Sequence, residues 1–228
     1  MNKLILVPTP IGNMQDITLR ALNVLNEVDL ILAEDTRKAS ILLSHYKISK
    51  AVVSYHNFNE HKNVEGIVQK IQNGLSVALI TDAGTPGISD PGFLLVRECV
   101  RNGIEIECLP GATALIPALV ISGLPCETFL FQGFLPVKKG LSSLLTSLSA
   151  ETRTMVFYES PHRISKTLDK LCEYLGEDRQ ASISRELTKI YEETYRGSLK
   201  ELSDIFKSKK YKGEMVIVVA GKPKKSNS

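Results

Sequence analysis

Two rhythms of hydrophobic and polar positions alternate along the chain. Short apolar runs bounded by polar or turn-forming residues occur at 3–7, 29–33, 52–55, 76–81 and 104–109 and read as strands. Between them, at 18–27, 38–45, 60–73 and 91–102, apolar side chains recur every three to four positions, the period of a helix that buries one face. Pro91 suits a first helical turn, with Asp90 before it as the N-cap. Regular strand–helix alternation predicts a parallel sheet with helices on both faces.

The rhythm changes in the second half. A helix over 112–122 runs into Gly123-Leu124-Pro125, a breaker that suits a domain boundary. Strands are then expected at 128–133, 152–158, 181–185, 190–197 and 213–220, and helices at 141–148, 162–175 and 199–207. With fewer crossover helices than strands, this half should hold a mixed sheet. The expectation is an α/β chain of two α/β domains, 1–115 and 116–228, with the break inside 110–128.

Composition narrows the setting. The chain has 228 residues, 43% hydrophobic and 23% charged, enough for one large core or two small ones. No apolar run approaches the roughly 20 residues of a membrane span, and the run before Pro8 is too short for the apolar stretch of a signal peptide. Cys99, Cys108, Cys126 and Cys172 are widely spaced, with no C-x-x-C pair, which fits free thiols in a reducing, cytoplasmic setting.

Charge is unevenly spread. Residues 1–126 carry 10 basic and 12 acidic side chains; residues 127–228 carry 18 and 13. Seven lysines fall within 207–225 against the single acid Glu214. Such a cluster either contacts phosphates or is a solvated tail.

Candidate chemistry gathers where strands turn into helices. The segment Thr81-Asp82-Ala83-Gly84-Thr85-Pro86-Gly87-Ile88-Ser89-Asp90-Pro91-Gly92 leaves an apolar run at its carboxyl end, where open α/β sheets bind ligands. Its glycines let backbone groups approach a ligand closely, although a structural turn would use the same residues. Segments 7–13 and 109–114 are two more such turns. No G-x-G-x-x-G, no G-x-x-x-x-G-K-[ST], no G-x-S-x-G and no zinc-type His/Cys spacing occurs, so the pattern points to a ligand held by backbone groups without a metal. Polar residues also crowd at 34–37, 54–60, 159–163 and 184–189; Thr36 and Asn59 are candidate N-caps there. Tyr55 and Phe58 are candidate stacking platforms for an unpaired base, or simply core.

The ordered set of segments resembles the tetrapyrrole-methylase family, in its small-subunit ribosomal RNA methyltransferase branch. The resemblance rests on Val7-Pro-Thr-Pro-Ile-Gly-Asn13, Ala33-Glu-Asp-Thr-Arg37, His56-Asn-Phe-Asn-Glu60, the 81–92 segment and Pro110-Gly-Ala-Thr-Ala114. It continues through Phe157-Tyr-Glu-Ser-Pro-His-Arg163, Arg185-Glu-Leu-Thr-Lys189 and Gly213-Glu-Met-Val-Ile217, so it spans about residues 3–221. Tetrapyrrole-modifying relatives carry a Gly-x-Gly-type first loop and a Gly-Asp-Pro loop; Thr-Pro-Ile-Gly and Gly-Thr-Pro stand here instead and favour the RNA branch.

The resemblance implies two α/β domains of the tetrapyrrole-methylase type with the cofactor cleft between them. It implies a homodimer and S-adenosylmethionine-dependent 2′-O-methylation of a cytidine in the decoding centre, on 16S ribosomal RNA or the small subunit. By position it implies cofactor contacts from Pro10, Ala83, Gly84, Thr85, Ile88, Thr113 and Ala114, closed by Leu187.

Methyl transfer to a ribose hydroxyl gains from a base or a nearby cation. Glu186 and Lys189 are the catalytic candidates, with Glu60 and Glu159 behind them. Arg37, His56, Asn59, Arg163, Arg185 and the terminal lysines are the candidate RNA contacts. Two alternatives stand beside this reading: a methyltransferase of the same fold acting on a small molecule such as a tetrapyrrole, and a non-catalytic RNA-binding module.

Overall fold

The computed structural model describes residues 2–56, 60–208 and 210–223. The chain divides into two compact units, Met1–Thr113 and Ala114–Ser228.

In the first unit, strands β1 (Lys3–Leu6), β2 (Leu30–Ala33), β3 (Val52–Ser54), β4 (Val77–Ile80) and β5 (Glu105–Cys108) form one parallel sheet in the order β3-β2-β4-β1-β5. Parallel strands need crossovers, and α1 (Leu19–Glu27), α2 (Thr36–His45), α3 (Glu60–Gln72) and α4 (Phe93–Arg101) supply them. Both faces are buried, which explains why β2 and β4 are apolar at every position. Ile5, Ile31, Ala33, Ala78 and Ile80 face Ala21 and Leu25 of α1 and Ala39 and Leu43 of α2. The alternate residues Leu4, Leu6, Leu30, Leu32, Val77 and Leu79 face Ile67, Val68 and Ile71 of α3 and Leu95 and Cys99 of α4. Burial pushes the Cys99 thiol up to about 11, so it is an inert core thiol.

In the second unit, β6 (Phe129–Phe134), β7 (Thr154–Glu159), β8 (Gln180–Arg185), β9 (Glu193–Ser198) and β10 (Met215–Val219) form a sheet in the order β6-β7-β10-β8-β9. Only the β6–β7 pair is parallel, so the sheet is mixed. Helix α5 (Leu115–Ile121) opens the unit. The core lies between the sheet and α6 (Leu141–Leu148), α7 (Ile164–Leu175) and α8 (Leu199–Ser208), with Met155, Phe157, Ile183, Ile217 and Val219 against Leu145, Leu168, Leu171, Leu202 and Phe206.

Several boundaries differ from the sequence reading by a few residues, and three of the differences have a local cause. Helix α4 starts at Phe93 rather than Pro91, because Gly92 occupies φ +139, a backbone state that ends the preceding loop and excludes Asp90 as the cap. Asp35, not Thr36, caps α2; its carboxylate accepts from the Arg37 N–H at 2.9 Å, and Thr36 is already helical. Strand β9 begins at Glu193, so Ile190 and Tyr191 belong to the connection before it.

Candidate active site

Three strand-to-helix loops of the first unit are locked together at the carboxyl edge of its sheet. Thr9 and Gly84 exchange backbone hydrogen bonds at 3.0 and 2.9 Å, an isolated antiparallel bridge joining segment 7–13 to segment 81–92. The Thr9 hydroxyl donates to the Thr81 carbonyl at 3.0 Å. The Thr85 hydroxyl donates to the Ala112 carbonyl at 3.2 Å, tying in the third loop. A Cβ on Gly111 would lie 2.5 Å from Cβ of the buried Pro8, so the first and third loops meet only because residue 111 has no side chain.

The chemistry exposed there is mostly backbone. Pro10, Ala83, Gly84 and Thr85 fall within this locked set, and Ile88 stands on the same loop, partly exposed. Thr113 is the last residue of the first unit, whereas Ala114 and Leu187 belong to the second. One buried polar atom is left over: Thr81 Oγ1, directly after β4, has no hydrogen-bond partner. A buried hydroxyl without a partner costs about 1–3 kcal/mol, so a ligand acceptor at this edge would offset a standing cost. Thr81 was not singled out from sequence; its signal is positional, the first residue past the central strand.

Beside these loops lies a charged cluster that sequence reading noted only in part. The Asp82 carboxylate accepts from Lys38 Nζ at 2.6 Å and from the Asp35 N–H at 3.2 Å. Glu34 is half-buried; burial, then the negative charge of Asp82, raises its carboxyl above the ordinary value. The Arg37 guanidinium grips Asp35 through two bonds, at 3.0 and 2.7 Å, and holds that carboxyl below the usual range. Arg37 itself remains largely exposed. His56 is half-buried, and its carbonyl accepts the Glu60 N–H at the start of α3. Tyr55 is 0% exposed in the core and cannot stack on a base; Phe58 and Asn59 lie outside the described residues.

In the second unit the polar segments turn inward. Glu159, 1% exposed, accepts from the Thr167 hydroxyl at 2.5 Å and the Ser160 N–H at 2.8 Å, and lies 3.5 Å from Arg163 Nε. Arg163 also donates to the Leu135 carbonyl at 2.8 Å. The segment therefore fastens the end of β7 to the start of α7. Arg185 donates to the Glu193 carboxylate at 2.7 Å and to the Lys212 and Tyr191 carbonyls at 3.3 Å, and sits over the Tyr211 ring. Both arginines thus have internal partners.

Glu186 and Lys189 form a pair at 2.8 Å. Glu186 takes φ +51 and Thr188 φ +67, left-handed values costing side-chain-bearing residues roughly 1–2 kcal/mol each. Gly213, at φ +88, lies under the Glu186 carboxyl; a Cβ there would come within 2.2 Å of it. Strain and packing together fix this carboxylate in one place. Among the described residues, no group of three or more His, Cys, Asp or Glu is placed to hold a metal ion, and no helix is long and apolar enough to cross a membrane.

A parallel sheet with ligand-type loops at its carboxyl edge, followed by a mixed-sheet unit, is the architecture of the methylases that modify tetrapyrroles. Residues 3–203 match the family of tetrapyrrole (corrin/porphyrin) methylases, and the chain belongs to it. Among solved structures, a cobalt precorrin-4 methyltransferase superposes with a TM-score of 0.72 at 19% identity, over 96% of this chain and 95% of that one. The uroporphyrin-III C-methyltransferase of Thermus thermophilus, solved with S-adenosylhomocysteine bound, superposes at 0.66 with 18% identity, over 95% and 96%. Much nearer in sequence is Ribosomal RNA small subunit methyltransferase I of Thermotoga maritima, 48% identical over 97% of this chain and all of the relative. The chain therefore stands in that branch of the methyltransferase family.

Proposed function

We propose that this chain transfers a methyl group from S-adenosylmethionine to the 2′-hydroxyl of a cytidine in 16S ribosomal RNA, at the decoding centre of the small subunit. What carries the reading is the 48% identity, over the whole length of the relative, to Ribosomal RNA small subunit methyltransferase I of Thermotoga maritima. The tetrapyrrole alternative has behind it the broad family match and solved structures at 19% identity or below among those above, which carry the fold and not a substrate. The orphaned Thr81 hydroxyl and the backbone-lined loops fit a polar cofactor with many acceptors.

Pro10, Ala83, Gly84, Thr85, Ile88 and Thr113 would hold the cofactor. When bound, S-adenosylmethionine supplies an activated methyl group on a sulfonium. The Thr9–Gly84 bridge and the Thr85–Ala112 bond keep those loops in one arrangement before any ligand arrives, which lowers the ordering cost of binding. Glu186 is assigned the proton of the ribose hydroxyl. Lys189, 2.8 Å from it, supplies positive charge to the oxygen as that proton leaves. Arg37 and His56, outside the core of the first unit, are assigned to RNA contacts, together with the terminal lysines. The proposal includes a homodimer working in the cytoplasm.

The test is transfer of labelled methyl from S-adenosylmethionine to small subunits purified from cells lacking this gene, followed by nucleoside analysis. 2′-O-methylcytidine at one site is the expected product. Measurable cofactor binding with no transfer to subunits or their RNA would overturn the substrate assignment and return the small-molecule reading.

A further inference from the structure

The connection between β8 and β9 spends an unusual amount of structure on holding two apolar side chains in water. Residues 186–192 form a hairpin loop in which Glu186 and Thr188 both adopt left-handed backbone. The Lys189 N–H donates to the Glu186 carbonyl at 3.0 Å, and the Glu192 N–H to the Lys189 carbonyl at 3.1 Å. The Thr188 N–H donates to the Glu192 carboxylate at 2.6 Å. Arg185 clamps the far side through the Tyr191 carbonyl, and Leu187 is buried beneath. Above this scaffold Ile190 is 95% exposed and Tyr191 72% exposed. Left-handed residues are ordinary in a strand connection; an exposed isoleucine and tyrosine side by side at its tip are what the connection itself does not require.

The charge around the tip is selective. Glu186 is paired with Lys189, Glu192 is bonded to the Thr188 N–H, and Glu193 is bonded to Arg185 and to the Tyr195 hydroxyl. The carboxylates of the loop and its exit are thus occupied by internal donors. The segment 210–214 abuts the loop, since the Arg185 guanidinium donates to the Lys212 carbonyl and Glu186 N–H to the Glu214 carbonyl. Lys210 and Lys212 on that segment are exposed, and among the described residues neither takes part in an ion pair; Glu214 is the acid beside them. An exposed aromatic with free cations alongside is the composition that holds single-stranded nucleic acid, with a base on the ring and phosphates on the ammonium groups.

We propose that the hairpin tip is an RNA-contacting wedge in which Tyr191, flanked by Ile190, stacks on an unpaired nucleotide of the substrate while Lys210 and Lys212 meet its backbone. It rests on the reading of the chain as an RNA methyltransferase and assigns part of substrate recognition to residues outside the cofactor loops. Stacking uses the ring face, so the hydroxyl is dispensable. An aromatic platform also accepts any base, so the tip adds affinity for an unpaired nucleotide without choosing which one.

The test measures binding separately from catalysis. Full-length wild type, Tyr191→Ala, Tyr191→Phe and Ile190→Ser are titrated into a fluorescein-labelled single-stranded oligoribonucleotide and into small subunits lacking the methyl group. S-adenosylmethionine affinity, thermal melting and sedimentation mass are read in parallel. Tyr191→Ala is expected to weaken RNA binding about 5- to 150-fold, the range for losing one stacked base. Tyr191→Phe should stay within about twofold of wild type. Cofactor affinity and melting should not move, because both tip side chains face solvent.

Full RNA affinity in Tyr191→Ala would overturn the proposal. So would a halved sedimentation mass with RNA affinity intact, which would assign the tip to a second copy of this chain. Wild type that binds the oligoribonucleotide through Tyr191 but methylates no subunit would leave the wedge standing and remove the proposed reaction.

Discussion

Gly111→Ala tests whether the locked loops of the first unit are the cofactor site. The added Cβ would lie 2.5 Å from Pro8 Cβ and 2.9 Å from Pro8 Cγ. Ordinary carbon contacts begin near 3.4 Å, so the third loop must withdraw from the first by about 1 Å. A proline ring has no rotamer by which to step aside, and Pro8 is buried, so the backbone of one loop has to move. Overpacking of this kind costs about 1–3 kcal/mol. For a chain of this size that lowers Tm by roughly 2–12 °C, each kcal/mol being about 2–4 °C. A displacement of about 1 Å among the groups that hold a ligand also removes hydrogen-bond geometry, and about a tenfold loss of S-adenosylmethionine affinity is the expected result. Calorimetric titration with the cofactor, at a temperature well below the melting transition of the variant, separates the two effects. A variant with the lowered Tm and undiminished cofactor affinity would refute the placement of the site while leaving the packing argument intact.

Gly66→Ala is the opposite perturbation. Gly66 lies inside α3 with nothing within 4 Å of an added Cβ, so alanine should raise stability by about 0.5–1 kcal/mol, read as a higher Tm with unchanged methyl transfer. Glu186→Gln keeps the shape of the side chain over Gly213 and removes its basicity; turnover should fall by about 10²–10⁴ with cofactor affinity unchanged, and undiminished turnover would dismiss Glu186 as the base. Glu34→Gln addresses the raised carboxyl. Folding lifts the value of Glu34, so its ionised form is a cost that is absent below the ordinary carboxylate range and is present in full above the folded value. Glutamine should therefore melt higher than wild type at neutral pH, with the gap closing as pH falls through that window. A gap independent of pH would mean the effect is not titration.

Features carried by local chemistry were legible in the sequence. The Gly- and Pro-rich loops at 7–13, 81–92 and 109–114 announced themselves because such turns need those residue types in place, and the strand–helix alternation announced a parallel sheet covered on both faces. Features made by distant partners were not. Arg163 and Arg185 read equally as RNA contacts or surface ion pairs, and only folding supplies their partners, the Leu135 and Lys212 carbonyls and the Glu193 carboxylate. The Lys38–Asp82 pair joins residues 44 positions apart, and Glu34 is raised by burial and then by Asp82 at another strand end. For Tyr55 the sequence left a stacking platform and a core position open, because aromatic and polar residues surround it, and burial decides for the core. The hairpin tip was hidden for a different reason. Ile190 and Tyr191 have strong strand preference, and only the left-handed turn at Glu186 and Thr188 takes them out of the ladder.

The order of strands in the second sheet has a consequence for how the chain is made. Its middle strand, β10, comes after all its neighbours in sequence and separates β6-β7 from β8-β9. Until residues 215–219 leave the ribosome, the second unit lacks the strand that joins its two half-sheets, each of which has an unpaired inner edge, and its core lacks Met215, Ile217 and Val219. The first unit has no such gap: its last strand, β5, only adds to an edge already paired through β3-β2-β4-β1. During synthesis the first unit can therefore close early and stay closed, while the second waits and then forms in one step. A nascent chain stalled before residue 215 should present a folded first unit joined to a sticky, protease-sensitive second one.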